Sequence, residues 1–276
     1  QDILLKGSLD GLKKIIKASE NLDMVTIVGL PFLNNFKLYN VAAVVFNGTL
    51  LGLVPKQHIP NYSEFYEARH FAVGPKEVSY IDIPELGYEL EDSGSFVSFG
   101  ANLLFKAKNL PELVIGIDIC EDLWMPVPPS CYHAMASATV IANLSASDET
   151  TGKDLYRREL VKNQSARLIS GYIYADAGEG ESSTDLVFAG HNLIAENGSI
   201  LSETKRFENG MTISEIDLGR LVSERRRMST FTINDPETNG YEVAEFEFKN
   251  ICDTTLTRHF EKTPFVPNDK NDRDRR

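Results

Sequence analysis

The stretch Gly116-Ile-Asp-Ile-Cys120-Glu-Asp-Leu-Trp124-Met-Pro-Val-Pro-Pro-Ser130 places a strand, a thiol and a turn in direct succession. The β-branched run that leads into it, residues 114–119, predicts a short buried strand. Cys120 stands at the end of that strand, where rigid backbone can hold a nucleophile at a crevice. A lone free cysteine is more often an ordinary buried thiol. The choice between the two interpretations therefore depends on other segments.

Apolar patterning in the rest of the chain predicts strands that alternate with helices and sometimes pair as hairpins. Ser8–Glu20 has apolar residues at helical spacing, with Ser8 as the N-cap. Asn47-Gly48 and Asn197-Gly198 are typical of tight hairpin turns. Further strands are expected at 24–30, 139–144, 172–177 and 211–216, and further helices at 131–138, 153–168 and 218–228. This order predicts an α/β protein with mixed sheets.

Composition excludes several classes of function. A formal net charge of −12 over 276 residues argues against nucleic acid or an anionic membrane as a partner. The three cysteines, Cys120, Cys131 and Cys252, are too few for a disulfide framework in a chain this long and lack metal-ligand spacing. A reducing, cytoplasmic setting and no metal site are therefore expected. No apolar run reaches the roughly 18 residues of a membrane span.

The second informative stretch is Pro55-Lys56-Gln-His-Ile-Pro60-Asn-Tyr62-Ser-Glu64-Phe-Tyr-Glu67-Ala-Arg69-His-Phe71. Long loops without periodicity are usually functional or disordered, and the aromatic residues here favour function. A lysine that leaves a strand is ordinarily a solvated surface charge. Beside a cysteine, however, Lys56 could favour the thiolate and stabilise an oxyanion.

Together the two stretches resemble the nitrilase (carbon–nitrogen hydrolase) superfamily, and more narrowly the glutaminase domains of glutamine-dependent NAD synthetases. The resemblance rests on Lys-x-x-Ile-Pro-x-Tyr-x-Glu-Phe-x-Glu-x-Arg-x-Phe from Lys56 and on Ile-Cys-Glu-Asp-x-Trp-x-Pro-x-Pro-Pro-Ser from Ile119. Segments 28–31, 143–147, 152–158, 174–184, 188–191 and 263–267 fit the same family. It covers essentially the whole chain and implies a four-layer αββα sandwich.

The resemblance also implies a Glu-Lys-Cys triad that hydrolyses the side-chain amide of L-glutamine to glutamate and ammonia through a thioester. Cys120 matches the nucleophile and Lys56 the triad lysine, and the backbone N–H of Glu121 would complete the oxyanion hole. Glu64 matches an auxiliary carboxylate near the lysine. The positions expected to line or face the substrate pocket are Tyr62, Glu67, Trp124, Ser147 and Lys153.

Two departures from the family pattern leave the activity of the chain open. The family's triad glutamate lies in a Pro-Glu-x-x-x-x-Gly-Tyr segment, whereas the chain opens at Gln1-Asp-Ile-Leu-Leu, which resembles the piece just after it. Pro84-Glu85-Leu-Gly-Tyr88 echoes the motif with shorter spacing. A glycine-rich phosphate loop is also missing. We therefore expect a hydrolase domain at 1–262 that lacks its first strand, and a linker at 263–276.

Three functions remain open from the sequence. The first is the glutaminase part of an NAD synthetase, which supplies ammonia for ATP-dependent synthesis of NAD from deamido-NAD. ATP and magnesium would then belong to a synthetase domain of the same parent polypeptide, with no cofactor in this domain. The second is a stand-alone amidase of the superfamily. The third is a catalytically silent assembly fragment. A homo-oligomer is expected by resemblance.

Overall fold

The protein is described by a computed structural model that covers residues 2–86, 96–181, 186–251 and 256–258, with Val266, Asn271 and Arg273. Cys252 and nearly all of segment 263–276 lie outside the described residues. The helices are α1 (Asp2–Ala18), α2 (Pro129–Met135), α3 (Lys153–Leu168) and α4 (Leu218–Arg227). Short 3-10 helices lie at Glu67–Arg69, Pro84–Leu86, Cys120–Trp124 and Glu237–Asn239. The strands are β1 (Val25–Asn34), β2 (Lys37–Phe46), β3 (Thr49–Pro55), β4 (Ser79–Asp82), β5 (Phe96–Phe99), β6 (Leu103–Ala107), β7 (Val114–Ile119), β8 (Val140–Ser145), β9 (Gly171–Asp176), β10 (Leu193–Glu196), β11 (Ser199–Glu203) and β12 (Glu242–Phe246).

These strands form two mixed sheets. The first has the order β1-β2-β3-β5-β4 and the second the order β11-β10-β9-β8-β7-β6-β12. In the first sheet, β1, β2 and β3 are antiparallel neighbours, while β3 and β5 run parallel. In the second, β7, β8 and β9 are parallel and β6 is antiparallel to β7. The predicted α/β class with mixed sheets is confirmed.

The two sheets pack face to face, with helices on both outer sides. Along β2, Val41 and Val45 pack with Leu12 of α1, whereas Ala42 and Val44 face the second sheet. This division follows from the alternation of side chains along a strand. The far face of the second sheet packs on α2 and α3, through residues that include Ala134, Val161 and Tyr172. The predicted four-layer αββα sandwich is therefore confirmed.

Two predicted elements are wrong in detail. The first helix begins at Asp2, and Ser8 lies inside it with its hydroxyl donating to the carbonyl of Leu4 at 2.9 Å, so Ser8 is not the N-cap. Segment 211–216 is not a strand: Met211 and Ile213 are 81 % and 73 % exposed, and no described strand pairs with the segment. Apolar runs predict burial, but a strand also needs a neighbour with free hydrogen-bonding groups.

The hairpin predictions are confirmed at both turns. Asn47 and Gly48 join β2 to β3 with φ of +45° and +81°, and Asn197 and Gly198 join β10 to β11 with φ of +42° and +83°. Left-handed backbone at both central residues suits the twist of a two-residue hairpin. The first hairpin delivers β3, and with it Lys56, to the interior.

Three parallel strands position the site. β7, β8 and β9 end at Ile119, Ser145 and Asp176, so their carboxyl ends meet at one edge of the second sheet. Such an edge is where α/β sheets hold ligands. Lys56, which directly follows β3, reaches this edge from the facing sheet.

Candidate active site

Cys120 occupies a constrained turn at the end of β7. Its φ is +49°, a left-handed conformation that non-glycine residues rarely adopt and that costs about 1–3 kcal/mol. The Cys120 N–H donates to Asn143 Oδ1 at 3.1 Å, and the Ile119 N–H donates to Asp122 Oδ2 at 2.9 Å. The Cys120 N–H is therefore already engaged, and the N–H of Glu121 follows it in the first turn of the 3-10 helix.

A buried polar network supports this turn from below. Asn143 Nδ2 donates to Tyr172 Oη at 3.2 Å, and Tyr172 Oη donates to Asp118 Oδ2 at 3.0 Å. Asp118 is fully buried, and burial, together with the charge of Asp122, raises its pKa to about 7. The network thus links the backbone at Cys120 to three adjacent strands.

Lys56 is buried beside the thiol and is paired with a carboxylate. It is 1 % exposed, and its Nζ donates to Glu67 Oε1 and Oε2 at 3.0 and 2.8 Å. The sequence placed Glu64 near the lysine and Glu67 in the substrate pocket. In the structure Glu67 contacts Lys56 and lines a cavity with it and Cys120, whereas Glu64 lines a second cavity at Cys120. Ser63 is left-handed at φ +49°, and the Glu67 N–H donates to the carbonyl of Pro60 at 3.2 Å. This turn brings Glu67 back to Lys56.

The loop that carries Lys56 is tied to the turn that carries Cys120. Asp122 Oδ1 accepts from the His58 N–H at 3.0 Å and lies 2.7 Å from His58 Nδ1. The same carboxylate holds the Ile119 N–H through its other oxygen. Asp122 therefore fixes the position of the lysine loop relative to the thiol.

The thiol is subject to opposing influences. Burial raises the pKa of Cys120, and the Glu67 carboxylate acts in the same direction. The Lys56 ammonium, together with hydrogen bonds from the Ser145 side chain and the Ala146 backbone, lowers this pKa. The fraction of reactive thiolate at a given pH therefore depends on Lys56.

Two cavities meet at Cys120. The lysine cavity has a volume of about 570 Å³ and is lined by residues that include Lys56, Glu67, Cys120, Ser145 and Asp176. The tryptophan cavity has a volume of about 420 Å³. Of the residues predicted for the substrate pocket, all except Glu67 line the tryptophan cavity, and Glu64 and Glu121 line it as well. The full lining is Tyr62, Glu64, Phe65, Cys120, Glu121, Trp124, Ser147, Thr150, Thr151, Gly152, Lys153 and Tyr156.

The tryptophan cavity presents a cation between aromatic rings. Lys153 Nζ lies 5.4 Å from the ring centroids of both Phe65 and Trp124 and forms an ion pair with Asp148. Trp124 packs edge to face on Tyr156 at 5.3 Å. A lysine held in this way can bind a carboxylate as a point charge, while the rings exclude water from it.

Tyr62 closes the wall of the tryptophan cavity near the nucleophile. Its Oη donates to Glu121 Oε1 at 2.7 Å. Burial and this hydrogen bond raise the pKa of Tyr62. The phenol therefore stays protonated and holds the Glu121 side chain at the cavity wall.

Several residues of the site had no assigned role in the sequence-based prediction. Asn143, Tyr172 and Asp176 form the network described above or line the lysine cavity, and Arg157 lies fully buried behind it. One signal was present: polar residues recur at alternate positions of the buried strands β8 and β9. Alternation places them on one face, but their partners lie on other strands.

The described part of the chain contains no group of three or more His, Cys, Asp or Glu side chains that could hold a metal ion. No described helix is both long enough and apolar enough to cross a membrane.

A cysteine at a strand end, a buried lysine and an αββα sandwich define the class of protein. Residues 6–226 match the family described as Carbon-nitrogen hydrolase, and the chain belongs to this family. Among curated proteins, the chain is 41 % identical over 284 residues to the glutamine-dependent NAD(+) synthetase of Mycobacterium tuberculosis, covering 98 % of this chain and 40 % of that protein. Identity to the Thermotoga maritima synthetase of the same name is 29 % over 258 residues, covering 91 % and 38 %. The chain therefore spans about two fifths of the length of these relatives.

Two solved structures have a similar fold. A glutamine-dependent NAD(+) synthetase from Cytophaga hutchinsonii superposes with a TM-score of 0.64 at 26 % identity, over 77 % of this chain and 33 % of that one. A carbon-nitrogen hydrolase from Helicobacter pylori superposes with a TM-score of 0.62 at 19 % identity, over 82 % and 73 %. The second similarity supports the fold alone.

Proposed function

We propose that this chain hydrolyses the side-chain amide of L-glutamine to glutamate and ammonia, with Cys120 as the nucleophile. The observation that carries the proposal is the position of Cys120, which lines both the lysine cavity and the tryptophan cavity. A scissile amide at the thiol would have a buried ammonium on one side and a carboxylate-binding cation on the other. Glutamine carries an amide and a carboxylate at the two ends of a short chain.

The reaction proceeds by nucleophilic catalysis. The Cys120 thiolate adds to the amide carbon, the C–N bond breaks as the nitrogen takes up a proton, and ammonia leaves. Water then adds to the thioester and loses a proton, so that glutamate and the thiol are released. Lys56 and the Glu121 N–H stabilise the oxyanion of each tetrahedral intermediate.

We propose that Glu67 orients Lys56 and does not transfer protons. Both of its carboxylate oxygens already accept from Lys56 Nζ, at 3.0 and 2.8 Å. A proton carrier would have to give up one of these bonds. The proton transfers need a further carboxylic acid, which the family resemblance places on a Pro-Glu-x-x-x-x-Gly-Tyr segment.

The tryptophan cavity would hold the rest of the substrate. We assign the α-carboxylate of glutamine to Lys153 and Ser147, with Tyr62 and Trp124 as walls. Glu64, which also lines this cavity, could attract the α-ammonium group.

The wider role is proposed from the relatives. The chain matches part of proteins named as glutamine-dependent NAD(+) synthetases, so we propose that its ammonia supports ATP-dependent synthesis of NAD from deamido-NAD. ATP and magnesium would bind to a synthetase domain of the same polypeptide, with none in this domain. We also propose that the protein forms a homo-oligomer and acts in the cytoplasm. A stand-alone amidase and a catalytically silent assembly fragment are the alternatives.

The test is covalent labelling with 6-diazo-5-oxo-L-norleucine, a glutamine analogue with an electrophilic carbon, followed by peptide mapping. We expect modification of Cys120, protection by L-glutamine, and no modification of Cys131. Protection by simple aliphatic amides as strong as that by L-glutamine would favour a stand-alone amidase. Absence of label on a folded chain would favour the silent fragment.

A further inference from the structure

We infer that Arg157 is a positioning residue that makes Ser147 a hydrogen-bond donor toward the substrate carboxylate. The inference rests on the proposed function, because it concerns the part of the tryptophan cavity that we assign to the α-carboxylate of glutamine. Arg157 lines neither the lysine cavity nor the tryptophan cavity, so it acts through Ser147 and not by contact with the substrate.

Ser147 is held at both of its polar ends by buried side chains. Its N–H donates to Asp176 Oδ1 at 2.9 Å, and its Oγ accepts from Arg157 Nη2 at 3.3 Å. The residue is 2 % exposed yet lines the tryptophan cavity together with Lys153. Only a small part of Ser147 therefore faces a ligand, which suits a single hydrogen bond.

The hydrogen bond from Arg157 determines the polarity of the Ser147 hydroxyl. A guanidinium can only donate, whereas a hydroxyl has one hydrogen and two acceptor positions. Because Ser147 Oγ accepts from Arg157, its own hydrogen is left to donate elsewhere. On the side of the cavity that also holds the Lys153 ammonium, the fitting partner is an acceptor such as a carboxylate. An ammonium group fits there poorly, because the Lys153 ammonium would repel it.

Arg157 is itself fixed in place. Its Nη1 donates to Glu149 Oε2 at 3.0 Å and lies 3.2 Å from His191 Nδ1 and 3.8 Å from Asp176 Oδ2. The side chain is fully buried. A lysine at this position would keep the positive charge but could not reproduce the planar fork that serves Ser147 and Glu149 together.

The experiment uses Trp124, the single tryptophan of the chain, which lines the same cavity. In a Cys120→Ala protein, which cannot turn over, Trp124 fluorescence is titrated with L-glutamine and with 4-aminobutanamide, which lacks the carboxylate. Ser147→Ala should weaken glutamine binding about tenfold or more and leave 4-aminobutanamide binding unchanged. Arg157→Lys should do the same, and the double variant should lose no more than Ser147→Ala alone.

The matched control is Arg206→Lys. Arg206 contacts Glu149 at 3.4 Å and Asp154 at 3.2 Å, and no contact joins it to Ser147 in the described structure. Glutamine binding should therefore be unchanged. A merely structural effect of Arg157→Lys would weaken both ligands equally, and that result overturns the inference. Independent, additive losses in the double variant also overturn it.

Three further outcomes are possible, and each of them decides the test. If Arg157→Lys does not fold, as judged by circular dichroism, Arg157→Met takes its place: a lost preference for glutamine over 4-aminobutanamide that is not additive with Ser147→Ala supports the inference, and an unchanged preference overturns it. If the Cys120→Ala protein binds no glutamine at all, the proposed function fails, and the inference fails with it. If glutamine binds but the preference survives every variant, the inference alone fails.

Discussion

The lysine cavity and the tryptophan cavity share one thiol but are built by opposite means. In the lysine cavity, a lysine that is 1 % exposed is paired with Glu67 where the two sheets face each other. In the tryptophan cavity, Lys153 lies between aromatic rings of a surface loop and a strand-end turn. Stabilising a transient charge needs a buried, oriented cation, whereas binding a substrate carboxylate needs a cation that the ligand can reach. We therefore expect the lysine cavity to determine kcat and the tryptophan cavity to determine the affinity for glutamine.

The strongest test of this assignment is Lys56→Met. Loss of one oxyanion donor should lower kcat for glutamine hydrolysis by about 10²–10³-fold, with a smaller change in KM. Because Lys56 lowers the pKa of Cys120, its removal should also shift the pH midpoint of thiol alkylation upward. Steady-state kinetics and iodoacetamide alkylation with peptide mapping measure the two effects, and Cys131 serves as the reference thiol. An effect on KM alone would contradict the assignment of oxyanion stabilisation to the lysine cavity.

The converse test is Lys153→Met in the tryptophan cavity. Loss of a charge-assisted contact to the α-carboxylate should raise KM for glutamine about 10-fold or more and leave kcat within a few-fold. The alkylation midpoint of Cys120 should shift less than in Lys56→Met, since the charge of Lys56 is the strongest influence that lowers the pKa of the thiol. A large fall in kcat with unchanged KM would mean that the tryptophan cavity contributes to catalysis and not to substrate affinity.

Within the lysine cavity, Glu67→Gln separates two effects of Glu67: its negative charge near the thiol and its orientation of Lys56. Glu67 raises the pKa of Cys120, so its neutralisation should shift the alkylation midpoint downward, opposite to Lys56→Met. Hydrolysis should nevertheless slow, because Lys56 loses the carboxylate that orients it. Glu64→Gln is the matched comparison and should move the midpoint less. Equal shifts from both variants would contradict the placement of Glu67 beside the thiol.

The last test concerns stability and not catalysis, and it addresses Asp118 in the buried polar network beneath Cys120. Burial raises the pKa of Asp118 from 3.8 to about 7, so between these values the folded protein binds more protons than the unfolded chain. The stabilisation from this group is present below pH 3.8 and is lost as the pH rises toward 7. Asp118→Asn should therefore flatten the fall in the free energy of unfolding across this window, as measured by urea denaturation. Asp82→Asn, at an exposed position, should not.

Much of the fold could be predicted because its signals are local. The strand that leads into Cys120, the helix at 153–168 and both Asn-Gly hairpins depend on periodicity or turn chemistry within a few residues. The first helix and segment 211–216 show the limit of this approach. Apolar spacing alone does not tell where a helix begins, or whether a neighbouring strand is present to pair with.

The order of residues along the chain by itself determined that a thiol follows a buried strand and that a lysine and several acids follow another. The sequence also identified the carbon–nitrogen hydrolase family, because the motifs and their spacing can be recognised without knowing which residues are in contact. Only the tertiary structure decided that Glu67 and not Glu64 contacts Lys56, and that Arg157 reaches Ser147. The physical reason is that a charged side chain is oriented by partners from other strands and turns. Those partners come together only when two sheets pack face to face and the backbone turns left-handed at Ser63 and Cys120.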